Sequence, residues 1–183
     1  SIAGSGVKSN LNSCEYLDIN EPFERQEWKY GPSLEVPRHA VACTFSLETK
    51  RMYCVGGWKF GTTSCSSLDS LIVNATHNAT SITPESSPTL EERKPLTENE
   101  WRACPRLPTA RKLHGVCSKN SKIYVFGGTT AGSFKPLTSA EVYDEKDQKW
   151  QKIRDLPKPA QCCATTVCNE VYVILWGNPK NTG

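Results

Sequence analysis

Side chains able to do chemistry are few and scattered in this 183-residue chain. It has three histidines. His39 and His114 follow Arg38 and Arg111 at similar repeat positions, and His77 lies in a polar stretch. A zinc site needs convergent thiolate and imidazole ligands. His114-Gly115-Val116-Cys117 is the one tight pair, so no metal site is expected. No Ser-His-Asp signature, phosphate loop or dinucleotide fingerprint occurs, so neither a catalytic residue nor a cofactor is assigned. The vicinal Cys162-Cys163 could present a reactive thiol. Its neighbours Gln161 and Ala164 bring no cation to lower its pKa.

Nine cysteines are an odd number, so they cannot all pair with one another. Cys43, Cys54 and Cys117 fall at apolar positions, where a free thiol packs as a small hydrophobe. The set reads as buried thiols of a reducing compartment, and the expected location is cytoplasmic. Two sequons, Asn74-Ala75-Thr76 and Asn78-Ala79-Thr80, would matter only in a secreted protein and are read as unused. Charge is near balance, with 22 basic and 19 acidic residues. No long basic run appears, which argues against nucleic acid. The longest apolar run, 171–176, is far below the ~20 residues a membrane helix requires.

The remaining candidates are for binding. Two loops pair an aromatic with a lysine among small hydroxyl residues. One runs from Trp58 through Lys59 and Phe60 to Ser64, the other from Thr129 and Thr130 through Phe134 to Lys135. Exposed aromatics beside cations suit a protein or peptide partner, especially an acidic one. Arg38 and Arg111 could reach the same surface; a salt bridge inside the fold is the competing reading. The predicted binding set is therefore Lys59, Phe60, Thr129, Thr130, Phe134, Lys135, Arg38 and Arg111.

These residues sit on a repeating frame. Trp101 to Trp150 holds one complete unit: a tryptophan, Leu107-Pro108, Arg111, a small apolar run to Cys117, a turn at 119–121, then Ile123 to Phe126 ending in Gly127-Gly128. Ser139 to Asp144 and a charged turn complete it. The leucine follows its tryptophan at one spacing three times: Trp28 to Leu34, Trp101 to Leu107, Trp150 to Leu156. Arg38 and Gly56-Gly57 repeat the arginine and the glycine pair, and Ser13 to Asp18 repeats the pattern of Ser139 to Asp144. Turn signals about ten residues apart between β-rich runs describe antiparallel meanders.

These residues resemble the kelch repeat, from about Ser13 to Leu175. The resemblance implies an all-β fold, a kelch-type β-propeller of four-stranded antiparallel blades. On this reading the glycine pair ends the second strand where backbones crowd and positive φ is needed. Tryptophan bridges blades, and Leu-Pro turns the chain into the next blade. Glu15 and Glu141 are expected to bond neighbouring backbone. Strands are predicted near 14–18, 28–30, 39–45, 51–57, 68–73, 101–104, 113–118, 122–128, 139–143, 150–153, 162–167 and 171–175. That makes two, four, four and two strands, or three blade equivalents, fewer than a propeller ring normally has; a partial propeller is expected.

Residues 1–12 are expected to be loose, 13–176 to form the kelch segment, and 177–183 to be a polar tail. Within the segment, 74–100 is rich in Ser, Thr, Pro and Glu. It reads as a disordered insertion, which closure entropy tolerates.

The resemblance implies a non-enzymatic protein-binding module. The BTB-kelch subgroup it fits best consists of substrate adaptors for cullin-based ubiquitin ligases. An actin-binding structural kelch protein is the second reading. A kelch-propeller enzyme, oxidase or sugar isomerase, is the third; it would need clustered His and Tyr ligands.

Overall fold

The computed structural model describes residues 2–5, 10–59, 63–73, 100–133, 135–167, 169 and 171–174. Among them there is no α-helix, only a 3₁₀ turn at Phe23–Arg25. The strands form successive antiparallel sheets in chain order. The first holds β1 (Ile2–Ser5), β2 (Asn10–Leu17) and β3 (Trp28–Gly31). The second orders β4 (Ala42–Ser46) and β5 (Arg51–Val55) beside β8 (Leu68–Ile72) and β9 (Arg102–Cys104). Between β5 and β8 sits a small hairpin, β6 (Trp58–Lys59) with β7 (Thr63–Ser64). The third sheet is β10 (Gly115–Lys119), β11 (Lys122–Phe126), β12 (Ala140–Asp144) and β13 (Lys149–Ile153); the fourth is β14 (Ala164–Val167) with β15 (Val171–Ile174).

The first strands of successive sheets lie side by side: β10 packs against β4 on one flank and β14 on the other. The sheets therefore fan about a common axis, as blades do. Period-two alternation fills the space between them. On β11, Ile123 and Val125 join Tyr53, Val55, Leu68, Leu107 and Val116 in the core between the second and third sheets. Phe126 packs with Cys117 and Ala140 on the opposite face, toward β14, and Tyr124 and Val167 lie against them. Burying both faces of the third sheet is what holds it to its two neighbours.

The expected strands are present with trimmed ends. β4, β10 and β14 begin two or three residues late because Ala40, Leu113 and Cys162 take positive φ (52°, 56° and 53°) just before them. That conformation breaks a ladder. A further difference lies at the start of the chain. Ile2–Ser5 pairs with β2, which itself begins at Asn10, where composition alone predicts a loose segment. Backbone pairing to an open strand edge does not require apolar side chains. The insertion, apart from Glu100, lies outside the described residues, as do the tail, both sequons and Cys168.

The glycine pairs do what their position demands. Gly127 and Gly128 have φ of 60° and 87°, and a Cβ on Gly127 would stand 2.5 Å from the Ala160 carbonyl oxygen. Tryptophans bridge sheets through their indoles. Trp101 Nε1 donates to Pro32 O at 2.9 Å, and Trp150 Nε1 to Pro105 O at 2.8 Å. Each acceptor stands four residues after the preceding tryptophan, so one bond recurs from sheet to sheet. Trp28 is 64% exposed.

Candidate functional site

Antiparallel order brings the segments before β4, after β5, after β9, after β11 and after β13 to one end of the molecule, the end marked by the glycine pairs. Two buried arginines brace it. Arg111 donates to Gly127 O (2.7 Å), to Ser139 O and Oγ (3.0 Å each) and to Thr109 O (3.3 Å). It also lies 3.2 Å from Glu141 Oε2, an ion-pair contact whose angle misses a hydrogen bond. Arg38 repeats the arrangement with Ser67 (2.6 Å) and Asp69. Both guanidiniums are essentially fully buried, at 1% and 0% exposure. Their planar fork satisfies several carbonyls at once, which a lysine could not do.

The rest of this end is built from short cross-links. His39 and Trp58 form an isolated bridge, as do Lys112 with Thr129 and Leu137 with Ala160. Leu113 N donates to Ala40 O, and Cys162 N to Leu113 O (2.7 Å). The three positive-φ residues are thus hydrogen-bonded in series from blade to blade. Left-handed conformations at non-glycine residues cost energy and persist where the surroundings over-determine them. Beside this ladder the Lys112 ammonium lies 3.4 Å from the Trp58 ring centroid, and the His39 ring meets the same indole at a tilt, centroids 5.4 Å apart.

The predicted binding set divides. Lys59 and Lys135 are exposed at the glycine end, and Thr130 is half-buried there. Arg38 and Arg111 are corrected from binding residues to scaffold, because burial and carbonyl partners consume their donors. Thr129 is likewise corrected: it is fully buried, and its backbone is committed to Lys112. Phe60 and Phe134 lie outside the described residues. Glu141 bonds a side chain, accepting from Thr109 Oγ1 at 2.6 Å, instead of backbone. Among the described residues the connections at this end carry Lys59, Arg106, Lys135, Arg154 and Lys158 exposed, against Glu35 and Asp155. The face is basic although the chain is near balance.

The opposite end carries the tight turns. Glu48 Oε1 accepts from Asn120 N (2.9 Å), while Ser46 and Thr49 donate to the two oxygens of Glu145 (2.9 Å each). A cavity of about 580 Å³ opens along the axis, lined by backbone and side chains of β4, β10 and β14, including Cys43, Cys117, Thr165 and Glu48. None of the predicted binding residues reaches it. No group of three or more His, Cys, Asp or Glu among the described residues is placed to hold a metal ion, and no helix among them is long and apolar enough to cross a membrane.

Residues 110–157 match the family described as the Kelch motif. Over 176 residues the chain is 26% identical to beta-scruin of Limulus polyphemus, covering 92% of this chain and 17% of that protein. Kelch-like protein 15 of Danio rerio is 30% identical over 181 residues, 96% of this chain and 28% of that protein. This chain is built of kelch repeats. It spans under a third of the length of these relatives. Kelch-like protein 41 of Mus musculus is 37% identical over 59 residues, 32% of this chain and 10% of that protein.

Within the kelch frame, sequence reasoning missed Lys112 and its contact with Trp58, and the backbone series through Ala40, Leu113 and Cys162. Position in the repeat carries the signal for the last three: each stands two residues after the arginine position, held in the third unit by Ala160. Lys112 offers none, because its approach to Trp58 joins two blades far apart in the chain.

Proposed function

We propose that this kelch segment is a protein-binding module whose working face is the glycine end, and that its partner presents acidic groups. The observation that carries the reading is the charge of that face. Five exposed cations stand against two exposed carboxylates in connections that the scaffold holds at one end. Cations held by a rigid frame steer an acidic partner and fix its register more than they raise affinity. The similarity to Kelch-like proteins supports the finer reading, in which such a module is the recognition part of a BTB-kelch adaptor for a cullin-based ubiquitin ligase. Finding a BTB domain encoded upstream in the same transcript is the check on that part.

The test is binding to an array of random peptides in dilute salt. The wild-type chain should retain peptides enriched in Asp and Glu, and lose them as salt screens the charges. Replacing Lys59, Arg106 and Lys135 together by Glu should weaken retention about tenfold or more, the loss of about 1.4 kcal/mol or greater. These side chains are exposed, so the melting temperature should stay where it was. Retention with no acidic bias, or unchanged in the triple variant, sinks the reading. Cosedimentation with actin filaments that survives the triple variant would place binding on another face.

A further inference from the structure

From the structure we infer a thiol modification site that the binding face does not use: Cys43 and Cys54 form a pair that closes to a disulfide when a small hydroperoxide reaches it. The two residues are directly opposed across β4 and β5. Cβ atoms at such positions stand about 4.5–5.5 Å apart, within about an ångström of disulfide spacing. Opposed residues of an antiparallel pair share one face of the sheet, so the two thiols are neighbours. Cys43 is exposed and lines the axial cavity, which gives a small solute a way in. Cys54 is fully buried behind it.

The surroundings favour a thiolate on the inner sulfur. The interaction with the Cys43 thiol is the largest influence drawing the Cys54 thiol below its ordinary range, and the Arg38 guanidinium adds to it. The interaction with Cys54 is the largest influence holding the Cys43 proton on. The pair thus shares one proton loss. Arg38 is held in place by Ser67 and Asp69, and its Nη2 reaches the Cys54 carbonyl.

The repeat itself shows that packing does not require sulfur here. The row Cys43, Cys54, Asp69 across the second sheet corresponds to Val116, Val125, Glu141 across the third. Both rows lie beside a buried arginine. Two valines fill the positions in one blade, and two thiols in the other.

The chemistry balances with a hydroperoxide as oxidant. The proton the pair shares passes from Cys43 to Cys54, the exposed Cys43 thiolate attacks the peroxide, the O–O bond breaks, and a sulfenic acid forms as hydroxide leaves. Cys54 gives up its proton, its thiolate attacks the Cys43 sulfur, the S–S bond forms, and a second hydroxide leaves. The protons of the two thiols convert both hydroxides to water. Two sulfurs are oxidised and one peroxide is reduced.

The experiment treats the whole chain with equimolar hydrogen peroxide, alkylates remaining thiols under denaturing conditions and maps tryptic peptides. Trypsin cuts after Lys50 and Arg51, between the two cysteines. The expected result is a linked pair of peptides bearing Cys43 and Cys54, lighter by two hydrogens, reversed by dithiothreitol and absent from Cys43→Val and Cys54→Val. Valine is the residue the third sheet carries at these places, so both variants should keep the wild-type melting curve. If a variant does not fold, the wild-type map alone still decides. Full alkylation of both thiols after exposed Cys162 has been oxidised overturns the inference. So does a link from either cysteine to Cys14, or a Cys43 that stops at the sulfinic acid while Cys54 alkylates.

Discussion

Acid should loosen the joint between the second and third sheets, and His114 is the reason. Its side chain is wedged between blades. Its Cε1 is 2.7 Å from where a Cβ on Gly56 would stand, and its own Cβ is 2.8 Å from the same point on Gly128. Both ring nitrogens are buried without a hydrogen-bond partner. Burial is the largest influence on its titration and the Arg111 charge the second. Together they outweigh the favourable Val55 backbone and hold the imidazole at a pKa of about 3, against 6.5 unperturbed.

The sign follows from proton counting. Between pH 6.5 and about 3 the unfolded chain binds a proton at this site and the folded chain does not. Stability is therefore fully present above pH 6.5 and falls as pH drops, by about 1.4 kcal/mol per pH unit. At pH 4.5 the loss from this one group is close to 3 kcal/mol, a large fraction of a typical domain's stability. Urea unfolding at pH 7 and pH 4.5 measures it. Carboxylates titrate in the wild type and in His114→Leu alike, so the difference between the two proteins isolates the imidazole. The variant should lose about 3 kcal/mol less than the wild type over that interval. Equal losses in both proteins, or a resonance assigned to the His114 imidazole that titrates near pH 6.5 in the folded chain, would refute the reasoning.

Two other outcomes follow from the scaffold. Arg111→Met should cost about 3–5 kcal/mol in urea unfolding, because it leaves Glu141 (6% side-chain exposure) buried without its cation and frees the Gly127 and Ser139 carbonyls; a loss under 1 kcal/mol would mean the pair is not buried in solution. Trp101→Phe keeps an aromatic ring but removes the bond to Pro32 O, and should cost about 1 kcal/mol, read as a lower urea midpoint with unchanged slope; an unchanged midpoint would show that the indole bond adds nothing to the joint.

Much of the scaffold was legible because each piece is local. Gly127-Gly128, the Leu107-Pro108 turn and the alternation along Ile123 to Phe126 each state a backbone requirement within a few residues. Repetition of the set at matched spacings then fixes the order of strands. The face that would bind was less legible. Arg38, Arg111 and Thr129 look like surface chemistry in a one-dimensional string, since polar side chains are mostly exposed. Their burial depends on carbonyls of Cys54, Gly127 and Ser139, and on Lys112, which the chain brings to them only when the sheets close. Early strand ends were missed for a related reason. The positive φ of Leu113 is held by a bond to Ala40 of the neighbouring blade, and nothing in a leucine announces it.

The sequence by itself determined that this is an all-β chain of kelch units, because hydrophobic period, turn chemistry and tryptophan spacing are short-range physical constraints. Only the tertiary structure decided which polar groups are scaffold and which are surface. It also set Lys112 against Trp58 and placed an exposed Cys43 beside Cys54 and Arg38. Those facts depend on how deep each residue lies and which strand or blade stands next to it, and burial and proximity are properties of the packed sheets.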